Sequence, residues 1–73
     1  MTEKQFLKKL GNKLTEEREK KHLDKTQLGK KMRSTRNTVA RIESAKVNST
    51  IAVLRRASEA LNIPLSKLLN VES

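Results

Sequence analysis

The stretch KTQLGKKMRSTRNTVARIE, residues 25 to 43, decides the fold because it contains two short helical patterns with a very short connection. Leu28 and Met32 lie four residues apart in the first pattern, and Val39 and Ile42 lie three apart in the second. Such spacings put each apolar pair on one face of a helix. The pattern predicts two helices that pack on one core, over residues 25–32 and 36–44.

The connection between these helices, residues 33–35, predicts how they are arranged. A link of about three residues forces the two helix axes to cross steeply, which is a helix-turn-helix geometry. Gly29 favours this geometry because a residue without a side chain lets the next helix approach closely. The cost is roughly 1 kcal/mol of helix propensity relative to alanine.

Three further helices complete the predicted fold, a compact all-α domain of five helices that occupies residues 1–73 as a single unit. Their apolar residues recur at steps of three and four: Phe6, Leu7, Leu10 and Leu14 in the first helix, Ile51, Leu54, Ala57 and Leu61 in the fourth, Leu65, Leu68 and Leu69 in the fifth. The first helix spans about residues 3–21, with Gly11 as a mild weakness. Thr50 caps the fourth, Asn62 ends it in a left-handed conformation, and Pro64 lies in the first turn of the fifth.

Composition narrows the classes of function. The chain has no cysteine and one histidine, so it offers no disulfide framework and no Cys/His metal set, and we expect no cofactor. His22 has no evident catalytic partner, which argues against an enzyme. The longest uncharged run, residues 47–54, is too short for a transmembrane helix or a signal peptide. These features predict a cytoplasmic protein without a membrane partner.

The net charge of +9 predicts a polyanionic partner. Nine lysine or arginine residues lie between residues 20 and 46, against only Asp24 and Glu43. An RNA or single-strand binder would normally offer stacking aromatic side chains, whereas this chain has one phenylalanine, outside the basic region. Double-stranded DNA is therefore the preferred partner.

The outward face of the third helix carries the side chains that we predict to read bases. With Val39 and Ile42 turned inward, five residues lie on the outward face or at the helix start: Thr35, Arg36, Asn37, Ala40 and Arg41. Arginine matches the major-groove edge of guanine, asparagine that of adenine, and alanine contacts the thymine methyl group. A threonine hydroxyl can bind a phosphate or a base.

Phosphate contacts are predicted at the rim of this face. Lys25, Thr26 and Gln27 start the second helix, where free backbone N–H groups, the helix dipole and an ammonium group converge. Lys46 and Asn48 follow the third helix and are expected to hold the backbone on the far side. Three further cations are expected to add only long-range attraction: Lys30, Lys31 and Arg33.

Three segments follow one another along the chain: LDKTQLGKKM, TRNTVARIESAKVNS and LRRASEALNIPLSKLL. In their order and spacing they resemble the phage-repressor-like helix-turn-helix family, the Xre type. This family includes the DNA-binding domains of lambda and 434 Cro and repressor. The resemblance covers residues 10–69. It implies a five-helix lambda-repressor-like domain with the third helix in the major groove, homodimers on operator DNA, and a bacterial or phage-encoded protein associated with the nucleoid. The family often places base or phosphate contacts at the positions of Lys25, Thr35, Arg36, Asn37, Ala40, Arg41 and Lys46.

The resemblance also implies a structural ion pair between Arg18, late in the first helix, and Glu43, at the end of the third. Two of the departures from the family pattern concern the turn. Arg33 replaces a preferred glycine, at a cost on the order of 1 kcal/mol if the backbone there is left-handed. Ser34 replaces a buried aliphatic residue. Both departures predict a looser turn.

The sequence thus predicts a sequence-specific regulator that binds double-stranded DNA as a homodimer, acts as a repressor, and takes no small-molecule ligand. The alternative is an antitoxin-type module that binds a toxin partner and autoregulates its operon. The dimer surface stays open between a C-terminal set and an N-terminal set, either of which can instead belong to the monomer core: Leu65, Leu68, Leu69 and Val71, or Phe6 and Leu7.

Overall fold

The computed structural model describes residues 1–46 and 50–70, and this part of the chain contains helices and no strand. The five helices are α1 (Glu3–Lys20), α2 (Lys25–Lys31), α3 (Arg36–Glu43), α4 (Ile51–Leu61) and α5 (Leu65–Leu69). The predicted all-α fold is confirmed, and the ends of the first three helices lie within one residue of the predicted ends. Pro64 differs slightly, because it caps α5 rather than lying in its first turn.

Four helices begin at a polar residue whose side chain accepts a hydrogen bond from the backbone N–H three residues further on. These N-caps are Thr2, Asp24, Thr35 and Thr50. The caps of α1 and α2 form full capping boxes, in which the side chain of the third helical residue also accepts a hydrogen bond from the backbone N–H of the cap. Each cap contributes about 1 kcal/mol, so the sequence sets the helix starts locally.

The first four helices end at a residue with a left-handed backbone: His22, Arg33, Ala45 and Asn62. None is a glycine, so each such end costs on the order of 1 kcal/mol. At the end of α2, Arg33 N–H donates to Lys30 O at 3.0 Å and Ser34 N–H donates to Gly29 O at 2.8 Å. These two bonds close the turn as a Schellman motif. The prediction of a looser turn is therefore wrong. The energetic cost of a left-handed backbone at Arg33 nevertheless remains.

One apolar core holds the helices together. Its buried members are Leu10, Leu14, Leu28, Met32, Val39, Ile42, Leu54, Ala57, Leu61 and Leu68. Val39 is fully buried and Ile42 is 2% exposed, which confirms the inward orientation predicted for α3. Leu68 belongs to the core, whereas Leu65, Leu69 and Phe6 pack against it only partly. Val71 lies outside the described residues.

Both glycines of the chain lie where another helix touches the helix backbone. A Cβ on Gly29 would lie 2.6 Å from Thr35 C, at the start of α3. A Cβ on Gly11 would lie 2.6 Å from Glu43 O and 2.7 Å from Ile42 O, at its end. Gly11 is thus a packing requirement and not merely the weak point in α1 that helix propensity suggested.

A buried carboxylate links α1 to α5. The Glu17 side chain is 2% exposed and lies 3.4 Å from Lys13 Nζ, 3.4 Å from Lys20 Nζ and 4.0 Å from Lys67 Nζ. Burial alone raises the pKa of Glu17, but the hydrogen bonds and charges of the lysines outweigh it and hold the pKa below the ordinary 4.5. The charged carboxylate is therefore favoured in the folded protein, chiefly by Lys13 and Lys20 of α1 and to a smaller extent by Lys67 of α5.

Replacing Gly11 with alanine should destabilise the fold, because the new methyl group meets backbone oxygens that cannot rotate away. The expected loss is about 1–3 kcal/mol, the usual cost of overpacking, despite the better helix propensity of alanine. Urea denaturation measures the difference. Asn12→Ala, at the exposed next position, should instead keep or raise stability. Equal stability of Gly11→Ala and wild type would show that α3 does not need this contact.

The Glu17 carboxylate should make stability depend on acid pH. Because its folded pKa lies below the unfolded value, its contribution is present above about pH 4.5 and is lost as the pH falls through the folded pKa. Wild type should therefore exceed Glu17→Gln in free energy of unfolding near pH 7, and the difference should shrink near pH 3. Chemical denaturation at both values measures it. A difference that does not change with pH would contradict this role.

Candidate nucleic-acid interface

The outward face of α3 presents exposed polar side chains. Arg36, Asn37 and Arg41 are exposed, and Ala40 is half-buried between them. Within residues 1–46 and 50–70, the side chains of Arg36, Asn37 and Arg41 form no hydrogen bond or ion pair. Because Val39 and Ile42 anchor the opposite face, these groups project from a helix whose orientation is fixed.

Thr35 also acts as the N-cap of α3. Its hydroxyl oxygen accepts a hydrogen bond from Thr38 N–H at 3.3 Å and lies 3.3 Å from the Thr38 hydroxyl. The residue is exposed at the start of α3, so its hydroxyl remains within reach of solvent. A contact to DNA by this hydroxyl would have to coexist with its role as N-cap.

The start of α2 offers fewer free donors than the sequence predicted. Asp24 accepts a hydrogen bond from Gln27 N–H at 2.7 Å, and the Gln27 side-chain oxygen accepts one from Asp24 N–H at 2.8 Å. The carboxylate of Asp24 therefore already occupies part of the positive helix end. The N–H groups of Lys25 and Thr26, the Lys25 ammonium group and the Gln27 side-chain amino group remain for an anion.

The far end of α3 carries Lys46, which is exposed and follows the left-handed residue Ala45. Its backbone N–H donates to Arg41 O at 3.0 Å, so that the start of the following loop is fixed to α3. Asn48, the second residue predicted to contact phosphate here, lies outside the described residues.

Arg18 and Glu43 form an ion pair that joins α1 to the end of α3. Arg18 Nε donates to Glu43 Oε2 at 2.8 Å, and Arg18 Nη2 donates to Oε1 at 3.1 Å. Arg18 Nη1 donates to Leu23 O at 2.8 Å, so the same guanidinium also fixes the α1–α2 connection. The side chains are 11% and 6% exposed. The hydrogen bond to Glu43 outweighs burial and raises the pKa of Arg18.

Thr15 completes this ion pair and was missed from the sequence. Its hydroxyl lies 2.8 Å from Glu43 Oε1 and 3.0 Å from Gly11 O. The available signal was spacing, because Gly11, Thr15 and Arg18 follow one another at steps of four and three and share a helix face. That stripe of small and polar residues marks the side of α1 on which α3 packs.

Apart from the Arg18–Glu43 pair, the ion pairs among the described residues lie outside residues 25–46. The ion pairs within α1, within α4 and between α1 and α5 engage Lys13, Lys20, Arg55 and Lys67. From residue 25 to residue 46 the one acidic residue is Glu43, and its charge is neutralised by Arg18. The exposed cations of α2, the turn and α3 outnumber the nearby carboxylates and therefore produce a net positive potential beside the outward face of α3.

Other kinds of site find no support in the described part of the chain. Residues 1–46 and 50–70 contain no cluster of His, Asp or Glu side chains arranged to hold a metal ion. None of the described helices is both long enough and apolar enough to span a membrane.

Comparison with protein families gives one match, to a family described as "Helix-turn-helix", over residues 14–68. The matched range contains α2, the turn and α3, together with the Arg18–Glu43 pair and the core residues around it. Neither the curated proteins nor the solved structures include a match to the chain.

Removing the Glu43 carboxylate should strongly destabilise the fold, because it leaves the Arg18 guanidinium largely buried without its counter-charge. We expect Glu43→Ala to cost about 3 kcal/mol and to lower the melting temperature by more than about 10 °C. The matched control is Glu59→Ala, which breaks an exposed pair with Arg55 and should cost less than about 1 kcal/mol. Equal melting temperatures for the two variants would contradict a structural role of the Arg18–Glu43 pair.

Proposed function

Because the chain belongs to the Xre-type helix-turn-helix family, we propose that it is a transcriptional regulator that binds double-stranded DNA in a sequence-specific manner. In this proposal α3 enters the major groove, two copies bind as a homodimer, and the protein acts as a repressor. The observation that carries the proposal is the outward face of α3, whose arginine and asparagine side chains are exposed and have no partner in the described part of the protein.

Base reading is assigned to the outward face of α3. Arg36 and Arg41 each offer a planar fork of donors that matches the O6 and N7 acceptors of guanine. Asn37 offers a donor and an acceptor that match the N6 and N7 of adenine. Ala40 lies between them with only a methyl group, suited to contact a thymine methyl group, and the Thr35 hydroxyl faces the start of the site.

Phosphate binding is assigned to both ends of the motif. At the start of α2, the contact is made by the Lys25 ammonium group, with Thr26 and the Gln27 side chain as additional donors. After α3, Lys46 holds the backbone on the other side, together with Asn48. These contacts fix the position of the protein on the duplex and contribute affinity that does not depend on sequence.

Two copies are proposed because a single short helix reads few base pairs. Paired half-sites about 34 Å apart multiply the discrimination of each copy. Of the predicted dimer surfaces, Leu68 is fully buried in the monomer and drops out of the C-terminal set. Leu65, Leu69 and Phe6 keep partial exposure, and Ile51 at the start of α4 is 60% exposed. Sedimentation with and without operator DNA tests the dimer.

Selection from a randomised duplex pool, followed by binding measurements on the selected site, tests base reading. Arg36→Ala and Asn37→Ala should each lose about 1–3 kcal/mol and relax the preference at particular base pairs. Lys46→Ala should weaken binding to all duplexes alike and reduce the slope of log K against log salt by about one. Selection that yields no preferred sequence would reject sequence-specific binding and leave only electrostatic attraction.

A further inference from the structure

An open groove lies between the first half of α1 and the end of α3. It has a volume of about 290 Å³ and is lined by Lys4, Lys8, Asn12, Glu43, Ser44 and Ala45. Its position follows from the close packing at Gly11, which brings the end of α3 against α1. A stripe of residues on α1 next to this contact forms the other wall of the groove. This stripe consists of residues four apart, Lys4, Lys8 and Asn12, all of them exposed.

The groove is positively charged although a glutamate contributes to its wall. Both carboxylate oxygens of Glu43 are held by Arg18 and Thr15, and the Glu43 side chain is only 6% exposed. Lys4 and Lys8 form no ion pair with the described residues, in contrast to Lys13 further along the same helix. The groove therefore presents two ammonium groups that no carboxylate of the described residues pairs with.

The groove also adjoins the face of α3 that is proposed to read bases. Ser44, which lines the groove, follows Asn37 by seven residues and lies within about 20° of it around the helix axis. The backbone turns at Ala45, and Lys46 then adds a third exposed cation next to the groove. A duplex that contacts Asn37 and Arg41 thus has its backbone on the side where the groove opens.

We propose that Lys4 and Lys8 bind a phosphate of the DNA backbone beyond the end of α3, with Asn12 as an amide donor at the edge of the groove. This inference rests on the proposed function, because it assumes a duplex along α3. It adds α1 to the DNA-binding surface, whereas the residues assigned above all lie between residues 25 and 48. It also places a contact to the DNA backbone at each end of α3, so that the helix is held in the major groove of the DNA from both sides.

The test compares two double variants that remove the same total charge. Lys4→Gln/Lys8→Gln removes the groove cations, and Lys9→Gln/Arg56→Gln removes two exposed cations, of which Lys9 lies on another face of α1 and Arg56 on α4. Long-range attraction falls equally in both. Only the groove variant should lose a phosphate contact, so its slope of log K against log salt should fall by about one per bound copy relative to the control.

A second measurement locates the contact and does not depend on that slope. Ethylation of individual phosphates on the selected duplex should identify one phosphate whose modification blocks wild-type binding but no longer affects the groove variant. Thermal melting of all three proteins shows whether the lysines instead stabilise the fold by their attraction to the negative end of the α3 dipole. If the groove variant melts lower than the control and both have the same salt slope, that structural role replaces the proposal.

The outcomes separate this inference from the proposed function. If the wild-type protein binds no duplex, both fail. If it selects a sequence that depends on Arg36 and Asn37, while the two double variants have equal salt slopes and equal ethylation patterns, only the role of the groove fails. If the groove double variant does not fold, Lys8→Gln and Lys9→Gln are compared in the same assays, and equal slopes again overturn the inference.

Discussion

The structure depends on two backbone contacts that hold α3 at both ends. Gly29 of α2 touches the backbone of Thr35 and Arg36, and Gly11 of α1 touches that of Ile42 and Glu43. Backbone contacts of this kind cannot relax by a change of rotamer, so they set the distance of α3 from both neighbours. The chain has only two glycines, and both serve this purpose rather than a turn. A short helix held in this way can present its outer face in one orientation.

Polar interactions within the protein are concentrated away from that outer face. The Arg18–Glu43 pair, together with Thr15, fixes the end of α3 on the side that faces α1. Glu17 forms ion pairs with three lysines of α1 and α5. Both carboxylates are thus occupied where helices meet, and none of the cations from residue 25 to residue 46 forms an ion pair with the described residues. Folding therefore leaves this strongly basic chain with a positive surface suited to a polyanion.

Stability is limited at the helix ends. The first four helices end in a left-handed backbone, and each of these positions carries a side chain where glycine would be free of strain. The hydrogen bonds of the turn after α2 are nevertheless complete, which shows that Arg33 adds a cost without changing the geometry. Such a domain depends on its core and on the Arg18–Glu43 pair to offset four unfavourable ends.

The sequence by itself determined the helices, their caps and the inward face of α3, because these follow from local spacing and from side chains that bond to nearby backbone. It also determined the composition of the α3 outer face, since Val39 and Ile42 set the direction of every other side chain on that helix. Only the tertiary structure decided that Gly11 and Thr15 receive the end of α3, and that Lys4 and Lys8 border Ser44. These contacts join residues that are distant in the chain, and the periodicity of a single helix does not specify which of them forms.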